Sequence, residues 1–302
     1  MTTSFPMNAG DGPYSYFKNS HLQREVLDGA NRMVRDAIIQ KLDIKIMLSS
    51  SNTIRIADFG CSVGPNTFIA MQHVVQALKD KLLQVTNSTN NIPEFQIFFN
   101  DHVINDFNTL FQSLPIDRSY YAFGVPGTFH GRLFPSRSIH FAHSSCAIHW
   151  LSKIPKELLD EKSPAWNKGS IHYICTSNVE VVNSYVAQFE KDMEMLLNAS
   201  AEEIAEGGMM VLVTPFASYT RLMIFFGSSL MDLVNELVDE ADAKTLMINL
   251  RAVLEGLIIN HFGSEMAEEA CARTILKSED ISTWMKANYE KSCQLFVALK
   301  RK

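Results

Sequence analysis

The chain lacks a long apolar run. None of its 302 residues belong to an apolar stretch of the roughly 18 residues that a membrane helix needs, so no membrane is expected as a partner. Cysteine is scarce, with five residues, an odd number, none in C-x-x-C spacing. That excludes a secreted disulfide framework and predicts reduced thiols and a cytoplasmic address. The opening MTTSFPMNAGDGPYSYFKNS has no apolar signal core, which agrees. Positive charge is in deficit: 27 Lys and Arg against 33 Asp and Glu give a net −6, with no basic stripe. Nucleic acid is therefore not expected as a partner. Internal repeats, low-complexity tracts and linkers are missing too, which excludes a solenoid.

What is present is globular. The chain is 46% hydrophobic and 20% charged, long enough for one large α/β domain or two small ones. Apolar residues at helical spacing run from Leu22 to Leu42 and from Phe68 to Val85. Strands are predicted at Ile54–Asp58, Phe95–Phe99 and Ser138–His143, with a short helix at Phe107–Leu114. Tyr120 to Phe134 reads as a strand followed by an irregular loop. A long helix is predicted from Val182 to Glu206, closed by Gly207-Gly208 before a strand at Met209–Thr214. Further helices are predicted over Ser218–Val238 and Ala243–Met285, and a last strand over Gln294–Lys300. Such alternation predicts a doubly wound, mostly parallel sheet.

The most informative stretch is IRIADFGCSVGPNT, Ile54 to Thr67. Apolar residues climb to Asp58, Gly60 and Gly64 frame a tight loop, and Pro65 stands where a helix would begin. This is a strand, a glycine turn and a helix N-terminus. The spacing is D-x-G-x-x-x-G, so the third glycine of the dinucleotide fingerprint is absent. An adenosyl ligand without phosphates, S-adenosylmethionine, fits the loop better than NAD. An ordinary αβ-turn with two glycines is the alternative. Asp101 ends the next strand on the same sheet edge, where a carboxylate can accept both ribose hydroxyls. Alone, it is equally a solvated acid at a turn.

The chain resembles the SABATH family of plant methyltransferases. The resemblance is carried by MNAGDGPYSYFKNSHLQ (7–23), ADFGCSVGPNT (57–67), FFND (98–101), NDFNTLFQSLP (105–115), GVPGTFHGRLFP (124–135), HFAHSSCAIHWLSKIP (140–155), GGMMVL (207–212) and RAVLEGLIINHFG (251–263). It implies an α/β, Rossmann-like core of the class I methyltransferase type with a helical cap over the acceptor pocket. It implies S-adenosylmethionine as donor, S-adenosylhomocysteine as product, a small carboxylic acid as acceptor, and a homodimer. By similarity the donor contacts are Tyr16, Ser20, Asp58, Cys61, Asn66, Asp101, His102, Thr128 and Phe129. Family members usually carry Ser at Thr128 and often Leu at His102. Gln23 and Trp150 would hold the acceptor carboxylate. Cys146, Ile148 and His149 would line the cavity, with Met223, Phe225 and Phe226 from the cap. The implied domains are a core at 1–217, a cap at 218–250 and completing C-terminal elements at 251–302.

The implied roles agree with the chemistry. A carboxylic acid of pKa about 4 is already anionic at neutral pH and needs no base to attack a methyl group. Gln23 and Trp150 offer neutral N–H donors, and an indole can only donate. Core packing for Trp150 and a solvated helix position for Gln23 are the readings the residues allow without the resemblance. His140 and His143 have odd strand spacing and form a poor metal pair. The family normally has several dozen more residues between Glu240 and Ala243, and the matching flanks favour their omission from the sequence as given. Some members bind magnesium through an Asn near Cys175; cysteine is a poor magnesium ligand, so no metal is expected. The alternatives are a xanthine-type N-methyltransferase, an inactive ligand-binding relative and, disfavoured by the glycine spacing, an NAD-type dehydrogenase.

Overall fold

A computed structural model describes residues 5–49, 52–86, 92–166, 178–216, 251–252, 264, 268 and 293–301. Its strands are β1 (Thr53–Phe59), β2 (Glu94–Asp101), β3 (Tyr121–Pro126), β4 (Ile139–Ser145), β5 (Ile204–Phe216) and β6 (Cys293–Lys300). They form one sheet in the order β3-β2-β1-β4-β5-β6. The pairs β1–β2, β2–β3, β1–β4 and β4–β5 are parallel. The chain winds outward from β1 to β3, then returns to place β4 beside β1. That reversal is a topological switch point, and ligands of doubly wound sheets bind outside the carboxyl ends of the strands there.

Sequence explains most of these elements. Ile54, Ile56, Ala57 and Phe59 of β1 and Ile139, Phe141 and Ala142 of β4 are buried, as a strand covered on both faces requires. The edge strand β3 leaves Tyr121 and Phe123 exposed. Helix α2 (His21–Lys41) buries Leu27, Ala30, Val34, Ala37 and Ile38, one stripe at helical spacing. It packs against α4 (Pro65–Thr86), which begins at Pro65 as the sequence predicts. The short helix α5 (Phe107–Gln112) is capped by Asp106, whose carboxylate accepts the Thr109 N–H at 3.0 Å. α3 (Ile44–Leu48), which the periodicity does not reveal, has only five residues, too few to display a repeat.

The chain divides into two compact units. Ser20–Trp150, Asp192–Thr214 and Gln294–Lys302 contain nearly all of the sheet and its helices. Met1–Asn19, Leu151–Lys191 and Pro215–Cys293 form the other unit. There, α1 (Tyr16–Asn19) lies close to a segment in which Asn8 N–H donates to the Ala252 carbonyl at 2.9 Å. The Arg251 guanidinium sits 3.8 Å from the Tyr14 ring centre, and Leu158, Ala165 and Val181 form a small core.

The structure corrects one expectation. α6 spans Val179–Glu203, so it ends three residues before the predicted Glu206, and Gly207-Gly208 lie inside β5 rather than capping the helix. Packing explains this. The β4–β5 register jumps between Ile139↔Ile204 and Phe141↔Met209, so β5 bulges at the glycines. Gly207 has φ +77°, and a Cβ on Gly208 would meet the His140 carbonyl oxygen at 2.6 Å.

The predicted helices over Ser218–Val238 and Ala243–Met285 lie, but for Arg251, Ala252, Ser264 and Glu268, outside the described residues, as do the cap residues Met223, Phe225 and Phe226, the Glu240–Ala243 junction and Cys175. Among the described residues, no helix is long and apolar enough to cross a membrane.

Candidate active site

The glycine loop is held from beneath by β2. The Asn100 carbonyl accepts both the Gly60 and the Cys61 N–H at 2.9 Å. Gly60 has φ +78°, and a Cβ there would come within 2.2 Å of the Ala147 Cβ. Only glycine permits both the backbone conformation and this approach between the β1 and β4 loops. Ser62 is left-handed at φ +53° and Gly64 has φ +115°.

Asp101 ties the loop to the end of β2. Its Oδ2 accepts the Ser62 N–H and its Oδ1 the His102 N–H, each at 2.7 Å. Burial raises its pKa, against the opposing pull of these two N–H groups and of His102. Asn66, in the first turn of α4, donates to both the carbonyl and the hydroxyl of Ser20 at 2.9 Å. Ser20, Asn66, Cys61, Asp101 and His102 thus belong to one unit and surround one loop.

Asp58 is buried with both oxygens engaged. Oδ2 accepts the Thr67 hydroxyl, and Oδ1 lies 2.7 Å from His143 Nδ1. Its partners come from α4 and β4, so it ties β1 to the elements on either side of the loop.

The β3 loop closes on the same edge. Gly127 N–H donates to the Asp101 carbonyl at 2.9 Å, and Asn100 Nδ2 reaches the carbonyls of Val125 and Gly127 at 2.8 and 2.9 Å. Thr128 and Phe129 follow, and the Phe129 ring packs against Phe59 at 6.5 Å between centres. Glu203, at the end of α6, secures this loop by accepting the N–H groups of Leu133 and Phe134.

The β4 loop completes the arrangement. Cys146 is left-handed at φ +56°, and its N–H donates to the Val213 carbonyl at 2.9 Å. Its thiol is pushed up to about 12 by burial. The Cys61 thiol is also raised, by burial first and then by the charges of Asp101 and Asp58. Both thiols therefore stay protonated at neutral pH. Ile148 is buried, and the Trp150 backbone N–H donates to the Ala147 carbonyl at 3.0 Å. Burial lowers His149 to about 4, leaving a neutral imidazole 5.8 Å from the Trp150 ring. On α2, the buried Gln23 Oε1 has no hydrogen-bond partner among the described residues.

The sequence-predicted residues Ser20, Gln23, Asp58, Cys61, Asn66, Asp101, His102, Thr128, Phe129, Cys146, Ile148, His149 and Trp150 all fall in this unit. Tyr16 lies on α1 in the other. Sequence reasoning missed three residues: His143, Glu203 and His130, whose Nδ1 lies 3.1 Å from the Thr128 hydroxyl. By spacing His143 reads as half of a poor metal pair or as a neighbour of Ser144-Ser145 in no triad, and finding its partner Asp58 requires knowing that β4 lies beside β1. His140 likewise spends its Nδ1 on β1, accepting the Arg55 N–H at 2.9 Å.

A parallel sheet with a glycine loop at its switch point and an acid on the neighbouring strand is the form of a nucleoside-cofactor site, and the match to a solved methyltransferase below makes it the class I methyltransferase fold. Residues 2–244 match the SAM dependent carboxyl methyltransferase family. The chain is 47% identical over 243 residues to loganic acid O-methyltransferase of Catharanthus roseus, covering 76% of this chain and 64% of that protein. It is 42% identical over 263 residues to farnesoic acid carboxyl-O-methyltransferase of Arabidopsis thaliana, covering 83% and 73%. A solved structure of loganic acid methyltransferase with SAH superposes with a TM-score of 0.85 at 35% identity, over 98% of this chain and 99% of that one. The chain belongs to the SAM-dependent carboxyl methyltransferase family. It spans less than two thirds of the Catharanthus relative's length.

Proposed function

We propose that the chain transfers the methyl group of S-adenosylmethionine to the carboxylate of a small, largely apolar acid, releasing a methyl ester and S-adenosylhomocysteine. The observation that carries this reading is the Asp101–Ser62 junction, which sets a carboxylate against the glycine loop at the sheet's switch point. The residues fit the donor. Asp101 keeps lone pairs for ribose hydroxyls beyond its two backbone bonds. Cys61, Asn66 and Ser20 border the loop, and Thr128, Phe129 and His102 border its far side. When bound, the donor supplies an electrophilic methyl group on a sulfonium.

The chain's own residues have three tasks. Gln23 and Trp150 orient the acid with neutral N–H donors, so the anion is placed without the deep well an arginine would create. Ile148, Cys146 and His149 exclude water, and a dry site favours a reaction that neutralises two opposite charges. His149, at about 4, is too weakly basic to act as a base at neutral pH, and an anionic acceptor needs none.

Homodimerisation and a cytoplasmic address belong to the same proposal. They rest on the family resemblance and on the free thiols Cys61 and Cys146. Light scattering on the purified protein checks the first. The reaction is tested by calorimetry with S-adenosylhomocysteine and with NAD, followed by an acid screen with methyl-labelled donor. Loganic and farnesoic acids, named for the relatives' activities, are the first substrates to try. Binding of S-adenosylhomocysteine and label in an ester support the reading. Binding of NAD instead, or label transferred only to nitrogen, overturns it.

A further inference from the structure

The loop after β3 is held at both ends and folds back on itself. At its start, the Gly127 N–H donates to the Asp101 carbonyl at 2.9 Å. At its far end, the Arg137 N–H donates to the Glu202 carbonyl and the Ser138 N–H to the Glu203 carbonyl, each at 2.8 Å. Between these ends a single carboxylate oxygen grips the turn. Glu203 Oε1 accepts the N–H of Leu133 and, at 2.8 Å, the N–H of Phe134. A helix-end glutamate usually faces water, but Glu203 is only 2% exposed. Burying a carboxylate is costly unless it is hydrogen-bonded, and these two bonds go to the loop.

The two residues that Glu203 holds are the ones that back Thr128 and Phe129. A Cβ on Gly127 would meet Leu133 Cδ2 at 2.6 Å, so the Leu133 side chain lies on the backbone just before Thr128. The Phe134 ring packs on Phe59 at 6.2 Å between centres, and Phe129 packs on the same Phe59 ring at 6.5 Å. Phe98 closes on Phe134 at 5.4 Å. Contacts therefore run from the Glu203 carboxylate to the neighbour of Thr128 through Leu133, and to Phe129 through Phe134 and Phe59.

We propose that Glu203 is a positioning residue for the methyl donor: by holding Leu133 and Phe134 it fixes the backing against which Thr128 and Phe129 meet S-adenosylmethionine. This rests on the reading above, in which Thr128 and Phe129 border the donor. Leucine at 203 leaves two N–H groups without their acceptor. Glutamine keeps an oxygen there, and because one oxygen accepts both N–H groups, it can hold the turn without the charge.

The test uses calorimetry with S-adenosylhomocysteine and amide hydrogen exchange on the intact protein. In Glu203→Leu, exchange at Leu133 and Phe134 speeds up, and S-adenosylhomocysteine binds about three- to ten-fold more weakly, the effect of one lost hydrogen bond. Glu203→Gln restores most of both. Leu133→Ala leaves the carboxylate alone and removes the contact with Gly127. It also weakens binding, and it serves if Glu203→Leu does not fold. Ile38→Ala, a core deletion near the far end of α2, lowers the melting temperature and leaves the affinity unchanged, which separates positioning from loss of stability. Wild-type affinity in a folded Glu203→Leu or in Leu133→Ala overturns the proposal. So does an Ile38→Ala variant that weakens binding as much as Glu203→Leu. Each of these results leaves the functional reading intact. A wild type that gives no binding heat overturns that reading and this proposal together.

Discussion

Asp58 and His143 stand opposite one another in register on β1 and β4, with Asp58 Oδ1 2.7 Å from His143 Nδ1. Both side chains are almost wholly buried. The pair joins the strands on either side of the switch point, and Thr67 extends it into the first turn of α4. The glycine loop therefore starts from a fixed base on three elements.

Removing one member strands the other. His143→Leu leaves a buried carboxylate with only the Thr67 hydroxyl, and a cost of about 3 kcal/mol is expected. His143→Asn, which can still donate to Asp58, is expected to cost less than half of that. Urea unfolding followed by circular dichroism measures both. Equal stability of His143→Leu and the wild type would show that the pair does not hold the loop's base.

The donor side gives a second prediction. Asp101→Asn keeps one oxygen, and its amide NH₂ cannot accept the Ser62 N–H that Oδ2 accepts. It also removes the charge that would hold ribose hydroxyls. S-adenosylhomocysteine should bind about ten-fold or more weakly, in line with the loss of charge-assisted hydrogen bonds. Stability should fall as well, by about 1–3 kcal/mol, because one of the two backbone N–H groups that Asp101 accepts loses its partner. Unchanged affinity in calorimetry removes Asp101 from the donor site.

A third prediction concerns pH. Burial, with a further push from Arg55, lowers His140 to about 4, and burial alone lowers His149 to about 4. In the unfolded chain both bind protons near 6.5. Between those values the unfolded state carries more protons, so stability rises with pH across the window. It is fully present above about 6.5 and is lost as pH falls toward about 4. The melting temperature should drop steadily over that interval. His149→Asn, which cannot titrate, should flatten the slope even if it lowers the melting temperature at neutral pH. An unchanged slope in both His149→Asn and His140→Asn removes these histidines as its cause.

Local patterns made much of the fold readable in advance. Apolar spacing marked α2 and α4, Pro65 marked where α4 begins, and the D-x-G-x-x-x-G loop pointed to the carboxyl edge of β1. Those features depend on residues near one another in the chain. The failures depend on residues far apart. Gly207 and Gly208 look like a helix stop, yet they serve a bulge set by the backbone of β4 and the Asp43 segment. Glu203 reads as a helix-end acid, and its role appears only where the Leu133–Phe134 turn meets it, some seventy residues away in sequence. His143 needs the strand order before Asp58 becomes its partner. The proposed Gln23 and Trp150 roles came from resemblance, since neither residue stands out by spacing or composition.

The acceptor clamp gives the last prediction. Trp150→Phe keeps most of the ring and removes the indole N–H, so it separates hydrogen bonding from packing. If Trp150 holds the carboxylate, kcat/KM for the acid should fall about ten-fold, or about 1.4 kcal/mol of transition-state stabilisation, while calorimetric affinity for S-adenosylhomocysteine stays within about two-fold. Gln23→Leu should behave alike, and filling the space around a buried polar oxygen with an apolar group should not lower stability. The double variant should lose less than the sum of the two, because both side chains act on one carboxylate. Rate should be flat from about pH 6 to 8, since the acid stays ionised and His149, at about 4, does not titrate there. A rate that climbs steeply across that range would mean a base is at work, and the acceptor would then be a nitrogen or hydroxyl rather than a carboxylate. Loss of donor affinity in Trp150→Phe equal to the loss in turnover would make the tryptophan a structural residue and leave the acid without its proposed clamp.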